Sequence, residues 1–249
     1  MPVPDALVFP SAAAAIAHVM EAHPRVLGVG EVHANTGGPA VPTTLARFTK
    51  DVFPVVAPHA TDLVLETWRL DGRCGATETT VATTVAADTK RPEATRSELE
   101  VLVDTSVALN VRPHDLVFTC TEYASLLGKD EAVDYGALLR LLTVKLEDYA
   151  VRGVQAKDAM VVLYGGAVHN DLYPRADLAS YAYGPAARDK GGSAYVELDL
   201  YQPELVRNNP TLVDPAWAPL LDQAGPDHVV LFARGPQSWI LLLETAPTP

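Results

Sequence analysis

Three short apolar runs in this chain close on the same kind of residue, and that repetition constrains the fold more than any other feature. Val26-Leu27-Gly28-Val29-Gly30 leads into Glu31 and then His33. Asp62-Leu63-Val64-Leu65 closes on Glu66, and the run from Met160 to Gly166 passes through Ala167 and Val168 to His169. Short apolar runs bounded by glycine read as buried strands. In an open α/β sheet, ligands bind just beyond the carboxyl ends of such strands. Residues two apart in extended backbone point the same way, so Glu31 and His33 converge on one spot. If the three runs are parallel neighbours, Glu66 and His169 join them. One such ending is what a cap or a solvated loop residue looks like. Independent loops have no reason to repeat it three times.

The rest of the chain reads as βα units. Ser11 caps a helix reaching about His23, with Pro24 as its breaker before the first strand. Thr43 or Thr44 caps another to about Val52. Pro92 opens a helix from about Glu93 to Leu109, with Leu99, Leu102, Val103 and Val107 on one face. Asp134 caps a strong helix to about Val151, carrying leucines at helical spacing, and Gly153 ends it. Residues 116–120 read as a strand, and 195–200, alternating apolar and acidic, as a more exposed one. The end of the chain reads as a hairpin: 228–233, a Gly235-Pro236 turn, then 239–243. Residues 73–90 are rich in Thr and Ala with few large apolar side chains. They read as a long, partly ordered loop or a loose helix, and as a candidate lid. The expectation is a single α/β domain over 1–249, three-layered, with a mostly parallel sheet, helices on both faces and a C-terminal β-hairpin.

Charge excludes some partners. The chain of 249 residues has 31 acidic against 19 basic side chains, a formal net charge of −12. No Lys/Arg cluster is present to neutralise phosphates, which argues against nucleic acid and against anionic membrane surfaces. No apolar run approaches the ~20 residues of a membrane span, and the first residues lack the basic and apolar regions of a signal peptide. A cytoplasmic protein with a small-molecule or peptide substrate is the expectation. Cys74 and Cys120 are too few for a disulfide scaffold. Buried free thiols are the favoured reading, and a single disulfide is the alternative.

Two imidazoles and two carboxylates allow two mechanisms. In one, His33 or His169 is a general base that takes a proton from water while Glu31 or Glu66 orients it. In the other, His33, His169, Glu31 and Glu66 supply ligands to a divalent metal that activates the water. Arg69, just past Glu66, is a candidate for binding a substrate carboxylate or stabilising an oxyanion. Tyr123 and Tyr173 are candidate substrate contacts, with packing as the simpler role of each. Asp171 reads as a cap or as a hydrogen-bond partner of an imidazole. There is no Gly-x-Ser-x-Gly elbow and no phosphate-binding Gly-rich loop.

Gly30-Glu31-x-His33 after a first strand, Glu66 after a second, and Gly165-Gly166 leading to His169 together resemble the erythromycin esterase and ChaN-like group, with Tiki-type proteases as more distant relatives. The resemblance covers roughly residues 26–174 in motif order. It implies an α/β fold with the Glu and His residues gathered at the carboxyl end of the sheet. The group is functionally mixed: macrolide ester hydrolysis, metal-dependent peptide cleavage and haem binding. Ala34-Asn35-Thr36 follows His33 here, where the esterases continue through a Thr-His-Gly type sequence, so a macrolide substrate is not implied. The leading expectation is a hydrolase of ester or peptide/amide bonds. The alternative is a haem-binding protein with a His or Tyr axial ligand, and a third reading is a catalytically inert scaffold.

Overall fold

A computed structural model describes residues 6–128, 130, 132–157, 159–207 and 216–245. Its frame is one eight-stranded sheet. The strands are β1 (Ala6–Phe9), β2 (Val26–Glu31), β3 (Asp62–Trp68), β4 (Arg112–Leu116), β5 (Val161–Gly166), β6 (Tyr195–Tyr201), β7 (Val229–Gly235) and β8 (Ser238–Leu242). Across the sheet they run β1-β7-β8-β6-β2-β5-β3-β4. All neighbours are parallel except β1 with β7 and β7 with β8. The protein is therefore an α/β protein with a mostly parallel sheet and an antiparallel C-terminal hairpin.

Helices cover both faces. On one side lie α1 (Ala12–Met20), α2 (Thr44–Arg47), a π-helical turn (Phe48–Val52), α3 (Phe53–Val56) and α5 (Ala94–Ala108). Their apolar residues, among them Ile16, Phe48, Phe53 and Leu102, form one core with Leu27, Val29 and Leu63 of the strands. On the other side lie α4 (Gly75–Thr89), α6 (Cys120–Ser125), α7 (Tyr135–Gln155) and α8 (Gly184–Gly191). Leu138, Leu142 and Leu146 of α7 pack there on Val26, Val64 and Leu163. A smaller core under the hairpin gathers Val206 of α9 (Pro203–Val206), Trp217, Leu220 and Ile240. Caps explain several boundaries: the Ser11, Thr43 and Asp134 side chains accept the backbone N–H groups of Ala14, Ala46 and Ala137.

Register sets the site. Glu31 lies opposite Gly166 of β5 and Leu200 of β6, and Leu65 lies opposite Tyr164. The carboxyl ends of β2, β5 and β3 thus emerge side by side, as expected for parallel neighbours.

Five expectations are corrected. Gly153 does not end α7, which runs on to Gln155; a Cβ there would sit 2.6 Å from Val26 Cγ2, so the glycine lets helix and strand approach. Residues 195–200 are wholly buried rather than more exposed, because Glu197 and Asp199 find partners inside. The strand placed at 116–120 lies earlier, at β4, a half-exposed edge strand too polar to be seen as an apolar run, and Cys120 starts α6. Val107 is 59% exposed, since α5 buries mainly Leu102 and Ser106. Cys74 and Cys120 are disulfide-bonded rather than free. For 73–90 the helix is found, with Glu78 accepting the Asp71, Gly72 and Cys74 N–H groups that precede it.

Candidate active site

Two Glu–His pairs straddle the carboxyl edge of the sheet. Side chains alternate along β2, so Glu31 follows Leu27 and Val29 onto the α2/α5 face. Glu66, next to Leu65 in β3, falls on the α7 face. Gly165 and Gly166 lie between the pairs. A Cβ on Gly165 would stand 2.3 Å from Glu66 Oε2, so only glycine admits that carboxylate against β5.

The first pair faces a cleft. His33 Nδ1 is 2.7 Å from Glu31 Oε1, and the Tyr164 hydroxyl donates to Glu31 Oε2 at 2.5 Å. A carboxylate already taken by a hydroxyl donor accepts on its other oxygen too. Nδ1 is therefore the ring nitrogen that donates to Glu31, so in the neutral ring the lone pair is on Nε2. Burial and the Glu31 charge push the Tyr164 phenol well above its ordinary pKa, so it remains a donor. Phe48 of the π-helical turn stacks on the Tyr164 ring at 4.2 Å and fixes it. The His33 side chain is 29% exposed. It lines an inner pocket with Glu66, Tyr164, Arg91 and Glu98, and an outer cleft of about 340 Å³ with Gly166 and Arg91. The Nε2 end lies beside Gly166, whose Cβ position is 3.2 Å away.

The second pair is packed away. His169 is 3% exposed and does not line either cavity. Its Nδ1 donates to the Tyr181 carbonyl at 2.8 Å, with Thr143 Oγ1 at 2.9 Å, which leaves Nε2 to face Glu66 Oε1 at 3.4 Å. Burial alone would lower the His169 pKa; the Glu66 charge and hydrogen bond outweigh it and raise it. Burial would likewise raise Glu66, but the His169 charge and hydrogen bond, the nearby His33 and the Gly166 N–H (2.5 Å from Oε2) hold it down at about 2. Both shifts favour an imidazolium facing a carboxylate, and His169 acts on the cleft through Glu66.

The structure thus brings Glu31, His33, Glu66 and His169 to one edge and gives them different tasks. It does not bring the three substrate-contact candidates there. Tyr123 is buried, its hydroxyl donating to the Arg69 carbonyl; Arg69 itself is exposed outside both cavities. Tyr173 turns away to donate to the Pro236 carbonyl. Asp171 pairs with Arg234, not with an imidazole. Tyr164 and Arg91 were missed. A tyrosine just before Gly165-Gly166, in an otherwise aliphatic strand, was the available signal for the first; nothing local marks the second.

The donor set does not fit a resident divalent ion. Each carboxylate is already committed to a partner, His169 has both ring nitrogens engaged, and among the described residues no three His, Cys, Asp or Glu side chains converge as ligands. No described helix is long and apolar enough to cross a membrane.

Fold and cluster together define an α/β protein with a carboxylate–histidine pair open to a cleft at the carboxyl edge of its sheet. No family model and no curated protein matches the chain. A solved structure to which it is similar is that of the type III effector HopBA1, 10% identical, with 97% of this chain and 98% of that chain covered and a TM-score of 0.45.

Proposed function

We propose that the protein is a hydrolase of ester or peptide/amide bonds, with His33 as general base. The observation that carries this reading is the 2.7 Å Glu31–His33 hydrogen bond, which leaves the basic Nε2 at a cleft beside Gly166. Nε2 takes a proton from water, and the hydroxide adds to the substrate carbonyl carbon. The bond to the leaving alcohol or amine then breaks, and the imidazolium returns the proton to the departing oxygen or nitrogen. Glu31, held by Tyr164, orients the ring and stabilises its positive charge. Glu66, kept ionised by His169, lines the same pocket and accepts a hydrogen bond from the water's other O–H, which stays with the attacking oxygen. No step needs a metal. The motif resemblance to the erythromycin esterase group supports the same assignment.

The haem alternative has less support. His169 is engaged at both nitrogens, and Tyr123 and Tyr173 lie elsewhere, so axial ligation would fall to His33 alone. As for compartment, the Cys74–Cys120 disulfide favours an oxidising one over the cytoplasm. The test is a broad ester and amide hydrolysis screen on the wild type, His33→Ala and Glu31→Gln, with a haemin titration beside it. Activity lost in His33→Ala upholds the assignment. Full activity in that variant, or a Soret band that depends on His33, overturns it.

A further inference from the structure

Arg91 lines both the inner pocket and the outer cleft, is half-buried, and among the described residues makes no hydrogen bond, ion pair or ring contact. A partly desolvated guanidinium that makes no hydrogen bond keeps unmet donor capacity. Its backbone is nevertheless held. Lys90 is in the left-handed region (φ 47°) and its carbonyl accepts the Thr36 N–H at 2.8 Å, while Pro92 restricts Arg91 itself to extended conformations. The segment carrying the side chain is held at the cleft, and the guanidinium donors have no hydrogen-bond or ion-pair partner among the described residues.

We propose that Arg91 is the specificity-determining residue of the cleft, binding a carboxylate carried by the substrate a few bonds from the carbonyl offered to His33. This rests on the hydrolase reading. A planar guanidinium matches a carboxylate with two parallel hydrogen bonds. The rest of the wall selects a monoanion. Glu31, Glu66 and Glu98 line the same pocket, the last held by Thr43 Oγ1 at 2.7 Å, so a dianionic phosphate would meet three carboxylates for one cation. The same three acids would repel any anion in the absence of Arg91, which makes a preference for an acidic substrate diagnostic.

The experiment compares 4-nitrophenyl hydrogen glutarate with its methyl-capped ester, the same chain without the charge. In the wild type kcat/KM favours the acid by at least about tenfold, mainly through KM. Arg91→Gln collapses that ratio toward one, and Arg91→Lys, which keeps the charge but not the fork, retains part of it. Matched thermal melts show that the variants are folded. Equal kcat/KM for the two esters in the wild type, or a preference that survives in Arg91→Gln, overturns the proposal. Inorganic phosphate competing better than glutarate overturns the choice of carboxylate. If the wild type cleaves neither ester, the hydrolase reading fails by itself, and calorimetric titration of glutarate decides the site. Binding lost in Arg91→Gln upholds it; equal binding in both, or none in the wild type, overturns it.

Discussion

Two pairs of polar residues, each spaced i and i+2, lie on adjacent strands and do opposite things. Glu31 and His33 close β2 and face a cleft. Glu197 and Asp199 lie one strand over in β6, where Asp199 is opposite Gly30, and are 0% and 2% exposed. There Glu197 accepts from Arg234 at 2.7 Å and from the Leu172 N–H at 2.9 Å, while Asp199 accepts from Asn170 Nδ2 at 2.9 Å and from the Tyr201 hydroxyl at 3.2 Å. Burial pushes both carboxyls above their ordinary range, Asp199 to about 6, helped by the Asp199 charge at Glu197 and the Asp171 charge at both, against the pull of Arg234. Position along the strand separates the two pairs. A carboxylate at the carboxyl tip meets a crevice, whereas one in the middle of a central strand must be enclosed by partners or stay costly.

The sharpest way to break that contrast is to remove His33. His33→Ala should lower kcat/KM by about 10²–10⁴ while leaving the denaturation midpoint nearly unmoved, since the ring is partly exposed and leaves no large cavity. A matching loss of stability would make the open pair structural like its neighbour. Arg234→Ala should do the reverse. It strands the buried Glu197 and the partly buried Asp171 and should cost about 3–5 kcal/mol in urea denaturation; a cost below about 1 kcal/mol would mean that the enclosed network tolerates solvent. His169→Ala belongs between the two. It leaves Glu66 without its cation, and should cost about 3 kcal/mol as well as most of the activity.

The smallest effect is a pH dependence. With Asp199 at about 6 in the folded protein and 3.8 as its ordinary value, the folded state holds the extra proton between those limits. Stability from this group is greatest below about pH 4, falls as pH rises to about 6, and is flat above. Asp199→Asn should remove its own share of that slope, leaving the part due to Glu197, and stabilise the protein at pH 7.5 by about 1–3 kcal/mol. Urea titrations at pH 4.5 and 7.5 read it directly, and an unchanged slope would place the proton elsewhere.

The open pair was legible in the sequence because it follows a glycine-bounded apolar run, and extended geometry alone aims both side chains together. The enclosed pair has, in sequence, the pattern of the face of an exposed strand. Alternation of apolar and acidic residues carries no information on whether a distant arginine, 35 or more positions on, will cover the acidic face. The glycines of β2 mislead in the same way. Read as strand-end markers, they also make room for the enclosed network: a Cβ on Gly30 would lie 2.4 Å from Asp199 Oδ1 and 2.5 Å from Asn170 Oδ1. Tyr123, Tyr173 and Arg69 follow strand ends in the sequence, which is all that links them to the site. Their actual neighbours, two carbonyls and solvent, depend on loop paths that periodicity does not describe. Parallel order and a C-terminal hairpin were readable because they rest on run length and turn residues; the edge strands β1 and β4 were not, being short and half-exposed.

His169 and Asn170 are consecutive residues. One imidazole holds Glu66, and the next side chain donates to Asp199 and to the Gly28 carbonyl. A single peptide unit therefore links the two sets of contacts. The 3.4 Å approach of His169 to Glu66, held locally by the Tyr181 carbonyl and Thr143, is thereby joined through the backbone to the packing around Asp199. Errors in the enclosed network should reach the cleft as misalignment, so a substitution nowhere near substrate can be felt first in turnover.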